Sequence, residues 1–325
     1  MEAFSYANPT TLAEAAKLLG GSWNDAQILA GGTDLIALMK DYVTSPKVVV
    51  NVKNIKELGG ISKSGGGLRI GATATFDDMS SNGALRTEYP AIHQAVMGIT
   101  SPQMRNMGTA GGDLCQRPRC WYFRNGFGLL AMKDGKSLVP DGENKYHAIF
   151  GGGPAYFVSP SSLGPALIAL GGTIKIHGAG GARTVDAAKF FVIPKTEDER
   201  ETDLKPNEIV TEIHLPSASG VRNATYEIRE RDFMDWPVAA ASVALKTNGG
   251  KISNAKVILG HVAPIPWQAT KAEEYLNGKT IDESTAEEAG KLAGEGAQPL
   301  SQNAYKVQLV KVAVKRALLA TTRKA

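Results

Sequence analysis

Residues 28–35 read ILAGGTDL, and residues 105–114 read RNMGTAGGDL. In the first run, residues 26–30 are apolar enough for a strand, and Gly31 and Gly32 end it. Thr33 and Asp34 then stand where a helix through Leu35, Ile36, Leu38 and Met39 needs its cap. A strand opening into a helix through two glycines points several backbone N–H groups at one spot. No β-carbon blocks that spot, and the helix N-terminus favours negative charge there. The run is neither G-x-G-x-x-G nor a Walker A loop. The second run, preceded by Ser101-Pro102-Gln103-Met104, offers another stretch of bare backbone from Gly108 to Gly112. One such loop is an ordinary tight turn. Two in one chain suit a ligand with a long body, such as a dinucleotide.

Working outward, Thr11-Leu12-Ala13-Glu14 is a capping box that starts a short amphipathic helix, with Gly20 and Gly21 as its stop. Residues 46–52 are a buried strand by their β-branched content. Residues 1–56 thus form a small α/β unit. A second unit, 57–217, holds a strand at Leu68-Arg69-Ile70, a helix capped by Thr75, the second glycine run, and a surface loop at 133–145. It closes on an alternating strand ending at Pro216. A third unit, 221–325, reads as strands near 238–247 and 251–262, then helices from Pro266 and from Asn303 to about Leu319. On the last helix Ala304, Val307, Val310, Val314 and Ala317 share one face. The fold class is α+β, closing with a sheet covered by helices.

The totals exclude several functions. At 325 residues the chain exceeds one ordinary core, and 43% hydrophobic with 21% charged residues describes a globular protein. The 36 basic residues only just outnumber the 32 acidic ones and form no block, so no nucleic-acid surface is expected. No apolar run approaches the roughly 18–20 residues of a membrane span. The first residues lack a signal peptide's basic and apolar regions, so the expected location is cytoplasmic, or periplasmic only by co-export with a signal-bearing partner. His93, His147, His177, His214 and His261 show no metal spacing. The acidic run 197–201 reads as a solvated loop, and Trp121-Tyr122-Phe123 as packing. No residue set suggests substrate acid/base or nucleophilic work, so no catalytic residue is assigned.

With LAGGTDL near residue 30 and RNMGTAGGDL near residue 110, the chain resembles the FAD-binding medium subunits of the molybdenum hydroxylase and xanthine dehydrogenase family. The resemblance extends to Ser159-Pro160-Ser161-Ser162-Leu163, Asn207-Glu208-Ile209-Val210, and Arg229-Glu230-Arg231 with Asp235. It implies a two-subdomain α/β FAD-binding fold of the vanillyl-alcohol-oxidase type, followed by a C-terminal α+β domain. FAD would lie extended, its diphosphate against Ile28, Leu29, Ala30, Gly31, Gly32, Thr33, Asp34 and Leu35. Ile99, Thr100, Thr109, Gly112, Asp113, Ser162 and Val192 fall on further flavin contacts of the family. Such a subunit takes electrons from a small [2Fe-2S] subunit, fed by a large molybdopterin-binding subunit, and passes them to an external acceptor. A flavin-free scaffold of the same complex stands as the alternative.

The stretch QRPRCWYFR, 116–124, resembles the aldehyde oxidoreductase and 4-hydroxybenzoyl-CoA reductase branch, in which an insertion carries an extra [4Fe-4S] cluster and Cys120 matches its first ligand. Here Cys115 and Cys120 are the chain's only thiols, and a cubane takes four, so no complete cluster is expected. Asp113 stands where most of the family has Asn. As an acceptor-only anion it is expected to oppose the cofactor, and Asn to hold FAD more tightly. Glu227 falls near a position where a Lys approaches the cofactor in part of the family.

Overall fold

The computed structural model describes residues 1–322. The strands Ser5–Ala7, Val48–Asn51 and Ala26–Leu29 form a small parallel sheet with Val48–Asn51 in the centre. Being central, Val49, Val50 and Asn51 are buried, as the β-branched run requires. The helix Leu12–Leu18 packs on this sheet, and its Thr11 cap and Glu14 complete the expected capping box.

A second, antiparallel sheet runs in the order Ile61–Ser64, Gly67–Gly71, Glu208–Leu215, Thr173–Gly178, Gly181–Asp186. Glu208–Leu215 is its middle strand, so it is buried along almost its whole length and does not alternate in exposure as its sequence suggests. The polar residues survive there by pairing. Glu208 meets Arg183, and Glu212 meets Arg69, Lys175 and His214. Thr75 caps Phe76–Ser81 as expected, with Asp78 answering it.

The third sheet is Val221–Ile228, Ala239–Asn248, Lys251–Gly260 and Trp267–Gln268, all antiparallel. Pro266 therefore leads into a short edge strand rather than a helix, and the helix Thr270–Leu276 starts later. One face of the sheet is covered by Thr270–Leu276 and Tyr305–Ala320, with Glu283–Ala293 packed against them. The other face takes the helices Pro90–Met97 and Leu163–Ala169 of the preceding region. Covered on both sides, residues 239–245 are buried without a break, and four of them are alanine, which lets the layers approach closely. In the last helix Val310, Val314 and Ala317 are buried as expected, with Lys306, Ala313 and Leu318 beside them. Ala304 lies outside this helix at its N-cap. Residues 133–145 are not simply a surface loop. A two-strand ribbon, Met132–Lys133 with Lys136–Ser137, leads to the fully buried Asn144, which ties this segment to Ser301 and Gln302.

The Glu212 cluster makes stability depend on pH. Burial alone would raise its carboxyl, but hydrogen bonds from His214, Arg69 and Lys175 outweigh it and hold it at about 2. A carboxyl held below its unfolded value stabilises the fold fully above the unfolded pKa, and that contribution fades as pH falls from about 5 toward 2. Because the site is partly open to solvent, the contribution is about 1 kcal/mol. Glu212→Gln should therefore lower unfolding stability by about 1 kcal/mol at pH 7, with the gap closing near pH 2 in parallel urea titrations.

Candidate functional site

The first parallel sheet ends at Leu29, and the chain crosses Ala30–Asp34 to reach the helix Leu35–Lys40. Gly32 sits at φ 74°, a left-handed conformation that side chains resist. A β-carbon on Gly31 would overlap the carbonyl oxygen of Met107. The two glycine runs thus meet backbone to backbone. Chain packing and turn geometry require both glycines before any ligand is considered. Gly112 differs. It lies in the short helix Ala110–Cys115, capped by the Thr109 hydroxyl, and outside that helix its β-carbon would meet only this hydroxyl.

Asp34 does not cap its own helix. One oxygen accepts the Arg117 backbone N–H at 2.7 Å, and the other faces the guanidiniums of Arg119 and Arg124 at 2.8 and 2.7 Å. Arg117 in turn pairs with Glu201, which is buried. The acidic run at 197–201 is therefore only partly a solvated loop, since Glu197 also receives the Leu129 and Leu130 N–H groups.

Two cavities open around these loops. The first, about 170 Å³, is lined by Ile28 and residues 30–35, together with Trp23, Cys115, Arg117 and Ile209. The second, about 250 Å³, is lined by Ile99, Thr100, Asp113 and Ser162, together with Phe76, Arg119 and residues 234–237. Thr33, Thr109, Gly112 and Gln116 line both, so they form a common throat. Joined, the cavities reach the range of small-molecule sites, roughly 300–1,000 Å³. Leu29 and Val192 line neither cavity. Leu29 lies behind Gly32, and Val192 bonds through its backbone to Glu201. Trp23, Phe76, Gln116, Arg119 and Trp236 are site residues that sequence reasoning missed. Only the apolar DFMDWP stretch at 232–237 carried a signal, three large apolar side chains in a loop.

Asp113 reverses its expected role. Its buried carboxylate receives the Ser161 hydroxyl, the Ser162 and Leu163 N–H groups at 3.2 and 3.0 Å, and Gln116 at 3.0 Å. Burial pushes its carboxyl up, and these hydrogen bonds oppose the rise. It anchors the start of the helix Leu163–Ala169, where an amide would turn a donor toward donors. Glu227 lines neither cavity. It lies buried beside Gly98, paired with Arg229, and burial raises its carboxyl to about 7 although Arg229 opposes this.

The thiols are both unpaired. Burial, with Glu201 and Asp113 nearby, pushes Cys115 up to about 12, so it stays a neutral thiol. The Cys120 sulfur lies 3.1 Å from His147 Nε2. Among the described residues no three His, Cys, Asp or Glu side chains group to hold a metal ion. No described helix is long and apolar enough to cross a membrane.

The two cavities share one throat and together have room for an elongated ligand. Residues 2–218 match the family model described as the FAD binding domain in molybdopterin dehydrogenase, and residues 224–321 match the CO dehydrogenase flavoprotein C-terminal domain. The chain belongs to this family of FAD-binding medium subunits of molybdenum hydroxylases. It is 29% identical to the glyceraldehyde dehydrogenase medium chain of Sulfolobus acidocaldarius, covering 97% of this chain and 96% of that one. It is 28% identical to the aldehyde oxidoreductase FAD-binding subunit PaoB of Escherichia coli, with 96% of each covered. The carbon monoxide dehydrogenase structure from Hydrogenophaga pseudoflava aligns at a TM-score of 0.77 and 28% identity, covering 98% of this chain and 97% of that one.

Replacing Asp113 with Asn should lower stability by about 1–3 kcal/mol, because a buried donor pair loses its acceptor. It should not tighten cofactor binding. An Asn variant as stable as the parent in denaturant titration would show that the carboxylate does not hold the 163–169 helix.

Proposed function

We propose that the chain is the FAD-carrying electron-transfer subunit of a heteromeric molybdenum hydroxylase. The observation that supports this best is the shared throat. A dinucleotide needs two compartments and a narrow waist for its diphosphate, and Thr33, Thr109, Gly112 and Gln116 supply that waist. A β-carbon at Gly112 would press on the Thr109 hydroxyl, and both residues line this waist. On this reading the turn at Ile28 and 30–35 holds the diphosphate, and Ile99, Thr100, Thr109, Asp113 and Ser162 surround the second compartment, Asp113 by positioning its wall.

When bound, the flavin supplies reversible two-electron chemistry. The chain's own residues bind it, orient it and shield it. Thr33 and Thr109 offer hydroxyls at the throat, and the Arg119 guanidinium forms part of the wall of the second compartment. Asp34 fixes that guanidinium in place. The electrons would arrive from a small [2Fe-2S] partner, served by a large molybdopterin-binding partner. Two thiols cannot complete a cubane in this chain, so the clusters belong to those partners. Unpaired thiols suit a reducing cytoplasm.

The flavin-free chain should take up FAD stoichiometrically, read by quenching of flavin fluorescence. Gly112→Ala should weaken that uptake at least tenfold in protein that circular dichroism shows to be folded, at some cost in unfolding midpoint because the added carbon lies 2.9 Å from the capping Thr109 hydroxyl. Gly31 and Gly32 are poorer test sites, because the fold itself requires them. A folded parent chain that takes up no FAD would instead mark the subunit as a scaffold.

A further inference from the structure

A third cavity, about 230 Å³, lies back to back with the second. Arg119, Asp235, Trp236 and Pro237 line both, so they are the common wall. Its other faces carry the rings of Trp121, Tyr146 and Phe157, and at its far side are His261 and Lys306. A cavity of about 150 Å³ is enough for a benzene ring.

The charges around this chamber are already engaged. Arg119 is on Asp34, and Glu230 takes Lys145 and the Tyr146 hydroxyl at 2.8 Å each. Asp235 accepts the N–H groups of Arg231 and Trp236. Lys306 points its ammonium at the carbonyls of Tyr146, His147 and His261 at 3.0, 3.2 and 2.8 Å. The lining carries two cations, Arg119 and Lys306, and two anions, Glu230 and Asp235, so its charges balance and an occupant is best neutral. Three buried groups of the lining still lack a partner, the Nε2 of His261, the Nδ1 of His147 and the Nε–H of Arg119. His261 is 3% exposed and sits at φ 61°, a strained conformation for a side chain of its size. An imidazole nitrogen and a guanidinium N–H suit carbonyl oxygens on a flat ring, and the aromatic walls suit the ring itself.

We propose that this chamber binds a neutral single-ring quinone, which accepts the electrons of the cofactor held across the wall. The proposal rests on the flavin reading above. The quinone gains two electrons and two protons and leaves as the quinol, with the reduced flavin returned to its oxidised form as reductant. His261 bonds a quinone oxygen and Trp236 lies between the two rings.

The test uses the full chain, first without flavin. Duroquinone should quench its tryptophan fluorescence saturably, since Trp121 and Trp236 line the chamber. Val238→Phe fills the chamber and should abolish the saturable quenching. His261→Gly removes the ring, is at ease at positive φ, and should weaken quenching at least tenfold. FAD uptake by Val238→Phe should equal the parent's, because Val238 lines only this chamber. In flavin-loaded, photoreduced protein, duroquinone should restore the oxidised spectrum at least tenfold faster in the parent than in Val238→Phe, with ferricyanide equally fast in both. Failure of the parent to take up FAD would overturn the flavin reading. FAD uptake with no saturable quenching, or quenching equal in all three proteins, would overturn the quinone chamber alone.

Discussion

The carboxylate of Asp34 carries the arrangement on which the rest of the site depends. It stands at the end of the small parallel sheet, yet all its hydrogen bonds go to the 116–124 loop. Two guanidiniums and a backbone N–H converge on it, so the loop is drawn onto the glycine turn. Few side chains can do this, since an anion with two oxygens is needed to serve three donors at once. The Arg117–Glu201 pair then joins the same loop to the segment before the central strand Glu208–Leu215. Asp34, Arg117 and Arg119 of this clamp contribute to the walls of the two compartments.

Much of the fold was legible because it rests on local chemistry. The capping boxes at Thr11 and Thr75, the β-branched strand at 48–51 and the long final helix all follow from side chains within a few residues of one another. Where contacts are distant, the reading failed in a consistent way. Asp34 has the local look of a cap, but loop arginines more than eighty residues later in the chain claim it. Glu208–Leu215 shows an alternating pattern, but neighbours on both sides bury it. Asp113 looks like an ill-placed anion until the Ser161–Leu163 turn, some fifty residues away, supplies its donors.

The site shows the same division. The glycine runs were visible as a pair, but the reason for Gly31 was not, because a backbone crossing leaves no mark on either stretch. Phe76, Arg119 and Trp236 reach the second compartment from three separate regions, and no spacing links them. Relatives acting on glyceraldehyde, on aldehydes and on carbon monoxide stand at nearly the same identity, 28–29%.

The third sheet is clasped between helices of the flavin-binding region on one face and the closing helices on the other. A sheet held from both sides cannot act as a hinge, because opening it would bare the alanine-rich strand to water along its whole length. Parting the layers of this sheet is thus too costly to serve as a gate. Any change of access must happen at the edge, where Phe233, Met234 and Trp236 stand exposed and a single bond, Met234 N–H to the Thr100 hydroxyl, fastens the loop over the second compartment.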